Sequence, residues 1–411
     1  MRFPKPLLGT LLFTLALSVL ACGERERGPH PEFSPTRDPN LSSESGYGQI
    51  PTTYVEGTPN RENRLKAVRH YQPELEWLAR NQSERGCWHV DPSAPGSPDD
   101  PPSDGDLQTT AAALIAFSND GQTHKTGHFS QHVRAAMIWL IQGLQERERN
   151  CFRAGSGDSI THMMVTCAFC EIYSLSLDMR LKRHAEGLLR TLLNSQLGSG
   201  AFPSTLSNGE SATLALPSLD ASAMAAITLL SASIGGILDL EEAREKLRAY
   251  GRQFNPHTCE ARDAASLHAL ETIHWDFLKA PEREQILATR LKQSPFNWTN
   301  PESDWLSALF TTHEHKRGRD SDFQAWTKAV WRPQILDQQR GYSPLDKHLL
   351  GEAVKHDDRE VIIELLPEFG SWDARPGQAW EGSRSYATAM AGWINGMVGV
   401  RQRGYVPIDS D

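Results

Sequence analysis

From Leu65 onward apolar residues recur at helical spacing, and no stretch alternates strictly for long enough to predict a strand. Two kinds of helix take turns along the chain. One kind carries a single apolar stripe opposite a charged face, predicted over 64–82, 131–147, 178–196, 239–253, 282–293 and 321–339. The other is apolar almost all round and rich in small residues, predicted over 107–118, 159–175, 219–234, 262–278, 303–313 and 383–398. A helix apolar on every side must be buried, whereas a striped one sits outside with its stripe turned inward. Six of each in alternation predict an all-α fold, an (α/α)6 toroid with an inner ring of helices inside an outer one. Runs such as Ala111-Ala112-Ala113 and Ala221 to Ala226 let the inner helices approach closely around the axis.

The ends of the striped helices carry a second signal. The first runs into Gln82, Gly86 and Trp88, a Gln-x-x-x-Gly-x-aromatic pattern. Glycine ends a helix by entering left-handed space cheaply, leaving the glutamine amide and the aromatic plate to cover the last turn. The pattern returns as Gln196, Gly200 and Phe202. A degraded copy starts at Gln145 and has Asn150 in place of glycine before Cys151-Phe152. Another is split: Gln339 closes a helix, and Gly370 and Trp372 follow an insertion over 344–367 with a helical stretch of its own from about Glu352 to Leu366. Recurrence of one unit is the mark of a helical repeat. The loop Ser93 to Asp106, dense in Pro, Gly and Asp, is expected to form a rigid acidic segment of the rim.

The front of the chain reads differently. Residues 1–22 combine Arg2 and Lys5 with a short apolar run from Leu7 to Leu20, the layout of a targeting segment. The run closes as Val19-Leu20-Ala21-Cys22, which resembles a bacterial lipobox. That resemblance implies lipidation of Cys22, a membrane as partner, and an extracytoplasmic place in the bacterial cell envelope. Residues 23–64 are polar and lack apolar periodicity, so they are expected to be a disordered tether before a domain over 65–411.

Charge narrows the partners. The 411 residues carry a net charge of −9, and no basic cluster suited to phosphates is present, which argues against nucleic acid. Of six cysteines, five remain if Cys22 is modified. They allow two disulfides at most, or else serve as small buried side chains.

The glutamine-glycine-aromatic repeats, the helix Thr109 to Phe117, the turn Gly121 to Gly127 and Cys170-Glu171-Ile172-Tyr173 resemble those of prenyltransferase/squalene-cyclase repeat proteins. So do Gly370-Ser371-Trp372-Asp373 and Ser385-Tyr386-Ala387-Thr388-Ala389. In that family the reacting groups sit at the starts of inner helices, facing one mouth of the cavity. The resemblance therefore draws attention to Asp106, His162, Asp220, Asp263 and Asp304. Cyclases of this kind protonate an alkene from three crowded acids. Here Asp220 stands alone, with Leu219 at the donor position, and is expected to cap its helix. Asp263 and Asp304 are likewise read first as caps.

The prenyltransferases bind zinc through Asp, Cys and His. His257-Thr258-Cys259-Glu260, with His268 and His274, lacks the Asp-x-Cys pair, so no metal and no cofactor is expected. Cys167 and Cys170 have redox-motif spacing but lie mid-helix, where no helix N-terminus lowers a thiol pKa. Tyr386 and Trp380 could line the mouth. The expected function is binding of an apolar, saccharide or protein ligand at the central cavity, without cyclase or prenyl-transfer activity. The alternative is a terpenoid-cyclase-like or carbohydrate-active enzyme using Asp220 with Asp263 or His162. It requires those side chains to converge on an open cavity.

Overall fold

In the computed structural model the described residues are 73–90, 102–154, 157–206, 216–271, 286–287, 289–291, 297, 305–317, 324–342, 344–351, 353, 359–373 and 383–402. They belong to the compact unit spanning Tyr54–Asp411. Cys22, Asp304, Trp380, His274, the tether, and residues 282–285, 288 and 292–293 of the helix expected at 282–293 lie outside them.

The fold is mostly helical. In chain order the helices are α1 (Pro73–Arg80), α2 (Asp104–Asn119), α3 (Ser130–Ala154), α4 (Ser159–Ser176), α5 (Met179–Asn194), α6 (Leu219–Ile234), α7 (Glu241–Gly251), α8 (Ala261–Glu271), α9 (Trp305–Arg317), α10 (Pro344–Leu350), α11 (Arg359–Leu365) and α12 (Arg384–Gln402). Six of them, α2, α4, α6, α8, α9 and α12, pack each against the next, and α12 returns to pack against α2. The cycle is closed. Against it lie α1 on α12 and α2, α3 on α2, α5 on α4, and α7 between α6 and α8.

Burial follows the two sequence patterns. From Leu107 to Ser118 every residue of α2 is buried, and the same holds from Met163 to Cys170 in α4 and from Ala221 to Ala232 in α6. In α5 only Leu181, Ala185, Leu188, Leu189 and Leu192 are buried, one stripe at helical spacing. The α2, α4 and α6 mid-sections are thus enclosed all round. Cross-bonds show neighbouring ring helices running in the same direction. Gln108 in the first turns of α2 donates to Asp158 and Thr161 at the start of α4, both at 2.9 Å. At the other end, Asn119 of α2 donates to the Trp393 carbonyl of α12 at 3.1 Å.

Several expectations are corrected. Four two-residue strands form two antiparallel pairs, β1 (Gly157–Asp158) with β3 (Thr205–Leu206) and β2 (Phe202–Pro203) with β4 (Pro217–Ser218). They join the loops that lead into α4 and α6, and at two residues they are too short to leave a periodic signal. Helix α3 continues through the degraded copy to Ala154, since Asn150 does not supply the cheap left-handed turn of a glycine. The helix expected over 321–339 breaks into a π-turn (Thr327–Trp331), a short α-turn (Arg332–Gln334) and a 3-10 turn (Leu336–Gln338). Pro333, which has no N–H to give and a ring that crowds the preceding turn, accounts for the distortion. The insertion holds two short helices, α10 and α11, around a small core of Leu350, Ile362, Leu366 and Phe369. Cys87, Cys167, Cys170 and Cys259 are all free thiols, so none of these four forms a disulfide. Among the described residues no helix is long and apolar enough to cross a membrane.

Candidate functional site

Three copies of one turn tie the outer helices to each other and to the ring. In each, the glutamine amide donates to the carbonyl of its own glycine and to the beginning of the next outer helix. Gln82 reaches Gly86 O (2.8 Å) and His132 O of α3 (2.9 Å). Gln196 reaches Gly200 O (3.0 Å) and Ala243 O of α7 (2.9 Å). Gln339 reaches Gly370 O (2.8 Å) and the Glu74 carboxylate of α1 (3.2 Å). The third turn therefore joins the late chain to the first helix.

The three glycines have φ of +94°, +89° and +92°. A Cβ on them would stand 2.6 Å from Ala135, 2.0 Å from Lys246 and 2.2 Å from Pro73 backbone atoms. Both the conformation and the close approach exclude a side chain. The amide of each aromatic residue donates to a ring-helix hydroxyl: Trp88 to Thr110, Phe202 to Ser222 and Trp372 to Thr388. Both indoles close back on the preceding helix, Trp88 onto Leu78 O and Trp372 onto Ile335 O, each at 2.7 Å. Each fully buried indole removes roughly 200 Å² from water, worth about 5 kcal/mol in transfer terms.

The positions singled out at the helix starts do not gather into one centre. Asp220 is not the cap of α6; Ser218 is, accepting from the Ala221 amide. One residue inside the first turn, Asp220 instead accepts from Ser266 of α8 at 2.7 Å, which braces two ring helices. His162 donates through Nε2 to Leu188 O of α5 at 3.0 Å, away from the ring. Asp263 lies within the first turn of α8 rather than capping it; burial, with a smaller contribution from the Asp263 charge, raises the Tyr250 phenol. Tyr386 is buried in the first turn of α12. Cys167 and Cys170 are buried and raised by desolvation, with Cys170 raised well above the thiol range. No group of three metal-ligating side chains occurs among the described residues.

Asp106 belongs to a different arrangement. Its Oδ1 accepts from the Val90 amide at 2.8 Å, and its Oδ2 lies 3.2 Å from His89 Nδ1. The other ring nitrogen of His89, Nε2, lies 3.4 Å from Cys87 Sγ. Since the carboxylate only accepts, the Nδ1–H points at Asp106, and Nε2 is the nitrogen that faces the thiol. Ser83 Oγ is the thiol's second neighbour at 3.1 Å and also accepts from the Cys87 amide. Burial pushes the Cys87 thiol up, and the bond to Ser83 draws it partly back. The three groups form a chain, thiol to imidazole to carboxylate, and do not converge on a common point as metal ligands would.

His89 was not among the residues chosen from sequence. Its signal is the Cys-x-His spacing in the extended segment after Gly86, which puts both side chains on one face. Asp106 is brought in only by the fold. No family model matches this chain, and no curated protein is similar to it.

Proposed function

We propose that this chain is a lipid-anchored, extracytoplasmic α/α-toroid protein that binds a polar ligand, a saccharide or an extended peptide, at the ring end where the inner helices begin. It works without cyclase or prenyl-transfer chemistry. The observation that carries the reading is burial. The described mid-sections of the ring helices are buried and offer a polyprenyl chain no exposed apolar face. The half-buried polar groups instead collect at the helix starts, among them Asp106, Asp158, Asp220, Asp263 and Arg384. Asp220 and His162 are already engaged by Ser266 and by a backbone carbonyl, which speaks against the acid-pair enzyme.

Full-length protein extracted in mild detergent and examined by native mass spectrometry should carry a polar ligand, and Asp220→Asn with Asp263→Asn should lose it. Cys22→Ser should move the protein from the membrane fraction to the soluble one. Cyclised product from squalene, a ligand-free protein, or a membrane fraction indifferent to Cys22→Ser each overturns the corresponding part of the reading.

A further inference from the structure

We infer that Cys87, His89 and Asp106 form a thiol acyl-transfer site, in which Cys87 is the nucleophile, His89 its base, and Asp106 the positioning residue that holds the imidazole. The substrate class is a small ester or activated amide.

The distances give the roles. With Nδ1–H held by Asp106, the free lone pair of Nε2 is the one aimed at the thiol. In the first half-reaction Sγ attacks the acyl carbonyl carbon while its proton passes to Nε2. The tetrahedral intermediate then collapses, the C–O or C–N bond breaks, and the leaving alcohol or amine takes that proton from Nε2. In the second, His89 removes a proton from water, which attacks the thioester. The products are a carboxylic acid and the restored thiol, with no change of oxidation state.

The competing explanation is that these three side chains merely hold the turn together. The sister turns test it within the same molecule. Taken from their matched hydroxyls and aromatics, the positions of Cys87, His89 and Asp106 correspond to Ala201, Pro203 and Ser218 in the second turn. In the third they correspond to Ser371, Asp373 and Arg384. Both sister turns keep the same glutamine bonds, the same left-handed glycine and the same hydroxyl contact without a thiol or an imidazole. The third turn also bridges these places, Arg384 pairing with Asp373 at 2.6 Å and donating to Ser371, so a bridge as such can be structural; what the first turn alone places there is a nucleophile next to a base. A raised thiol also fits a general base that acts during attack better than a standing thiolate.

Cys87 has no exposed surface at rest, so a small probe is required, reaching it through local opening. The full chain is treated with p-nitrophenyl acetate, followed by nitrophenolate release and peptide mass mapping. Acetylation is expected at Cys87 and not at Cys167 or Cys170, with a rate that rises with pH through an inflection set by the base. His89→Ala should remove that inflection and slow acylation roughly 100-fold. Asp106→Asn, which can still accept from the Val90 amide, should slow it less and displace the inflection. Cys87→Ala, copying Ala201, serves as the folded control and should give no adduct. Absence of a Cys87 adduct in folded protein, or a pH profile unchanged by His89→Ala, overturns the assignment. Since this readout needs neither the anchor nor a retained ligand, its failure is separable from failure of the binding reading.

Discussion

The first and second turns share a frame and differ in what hangs from it. Gln82, Gly86 and Trp88 superimpose in role on Gln196, Gly200 and Phe202: the same amide bonds, the same positive φ, the same hydroxyl beneath the aromatic. Around that frame the second turn places Ala201 and Pro203, and a two-residue strand pair finishes it. The first places a thiol, an imidazole and a carboxylate in a row. What holds the ring is therefore separable from what the rim can do chemically. The frame rests on positions common to all three turns, while the positions that vary among them carry a thiol and an imidazole in the first, a strand pair in the second and an ion pair in the third.

The common positions should show the largest effects. Gly86→Ala, Gly200→Ala and Gly370→Ala each force a Cβ into the backbone of the next helix from a left-handed conformation. A loss of about 2–4 kcal/mol is expected for each by urea denaturation, similar across the three. A Gly86→Ala protein of unchanged midpoint would break the equivalence of the turns. Next come the glutamines, where Gln82→Ala and Gln196→Ala should cost roughly 1–3 kcal/mol. Gln82 should cost more, because its Oε1 also accepts from His132 Nδ1 at 2.7 Å. The reverse order would show that the third bond adds nothing.

A smaller effect separates the two aromatics. Trp88→Phe reproduces Phe202 and removes the bond to Leu78 O, at a cost of about 1 kcal/mol. In the second turn the corresponding Leu192 carbonyl is already taken by Ser195, so no indole is needed there. Smallest of all should be Cys87→Ala, within about 1 kcal/mol of wild type, because the sister turn already holds alanine at that place. A larger loss would make the thiol structural and blur the contrast on which the acyl-transfer assignment rests.

The third turn adds a pH signature. Burial raises Glu74, against the opposing bonds from Gln339 and Asn395. A carboxyl whose pKa is higher folded than unfolded binds its proton more tightly in the folded state. Its contribution is thus most favourable at acid pH and is lost as pH rises above the unfolded carboxylate value, about 4.3. Glu74→Gln should flatten that part of the stability curve, as read from denaturation midpoints between acid and neutral pH. Asp178 has the opposite sign. Held well below the usual range first by Arg180 and also by His124 and Lys125, it supports the fold above the unfolded carboxylate range and withdraws that support on acidification.

How much of this was legible beforehand differs by feature. The turns at 82–88 and 196–202 could be read because glutamine, glycine and aromatic lie four and two residues apart, within the reach of local geometry. The burial of α2, α4 and α6 could be read because they lack a polar face. The roles of Asp220 and His162 could not, since Ser266 and Leu188 stand far along the chain and only packing presents them. The break near Pro333 was signalled by the proline itself, but helical spacing on both sides masked it.

The linear order of residues by itself determined that the described chain is mostly helical, that α2, α4 and α6 must be enclosed, and where α1 and α5 turn. Those outcomes depend on periodicity and on glycine's freedom at positive φ, both properties of a few neighbouring residues. Tertiary structure alone decided that α12 meets α2, that Gln339 meets Glu74, and that Asp106 meets His89. Each of these contacts joins groups distant in sequence, and chain entropy gives such groups no preference for one another until the helices between them have packed.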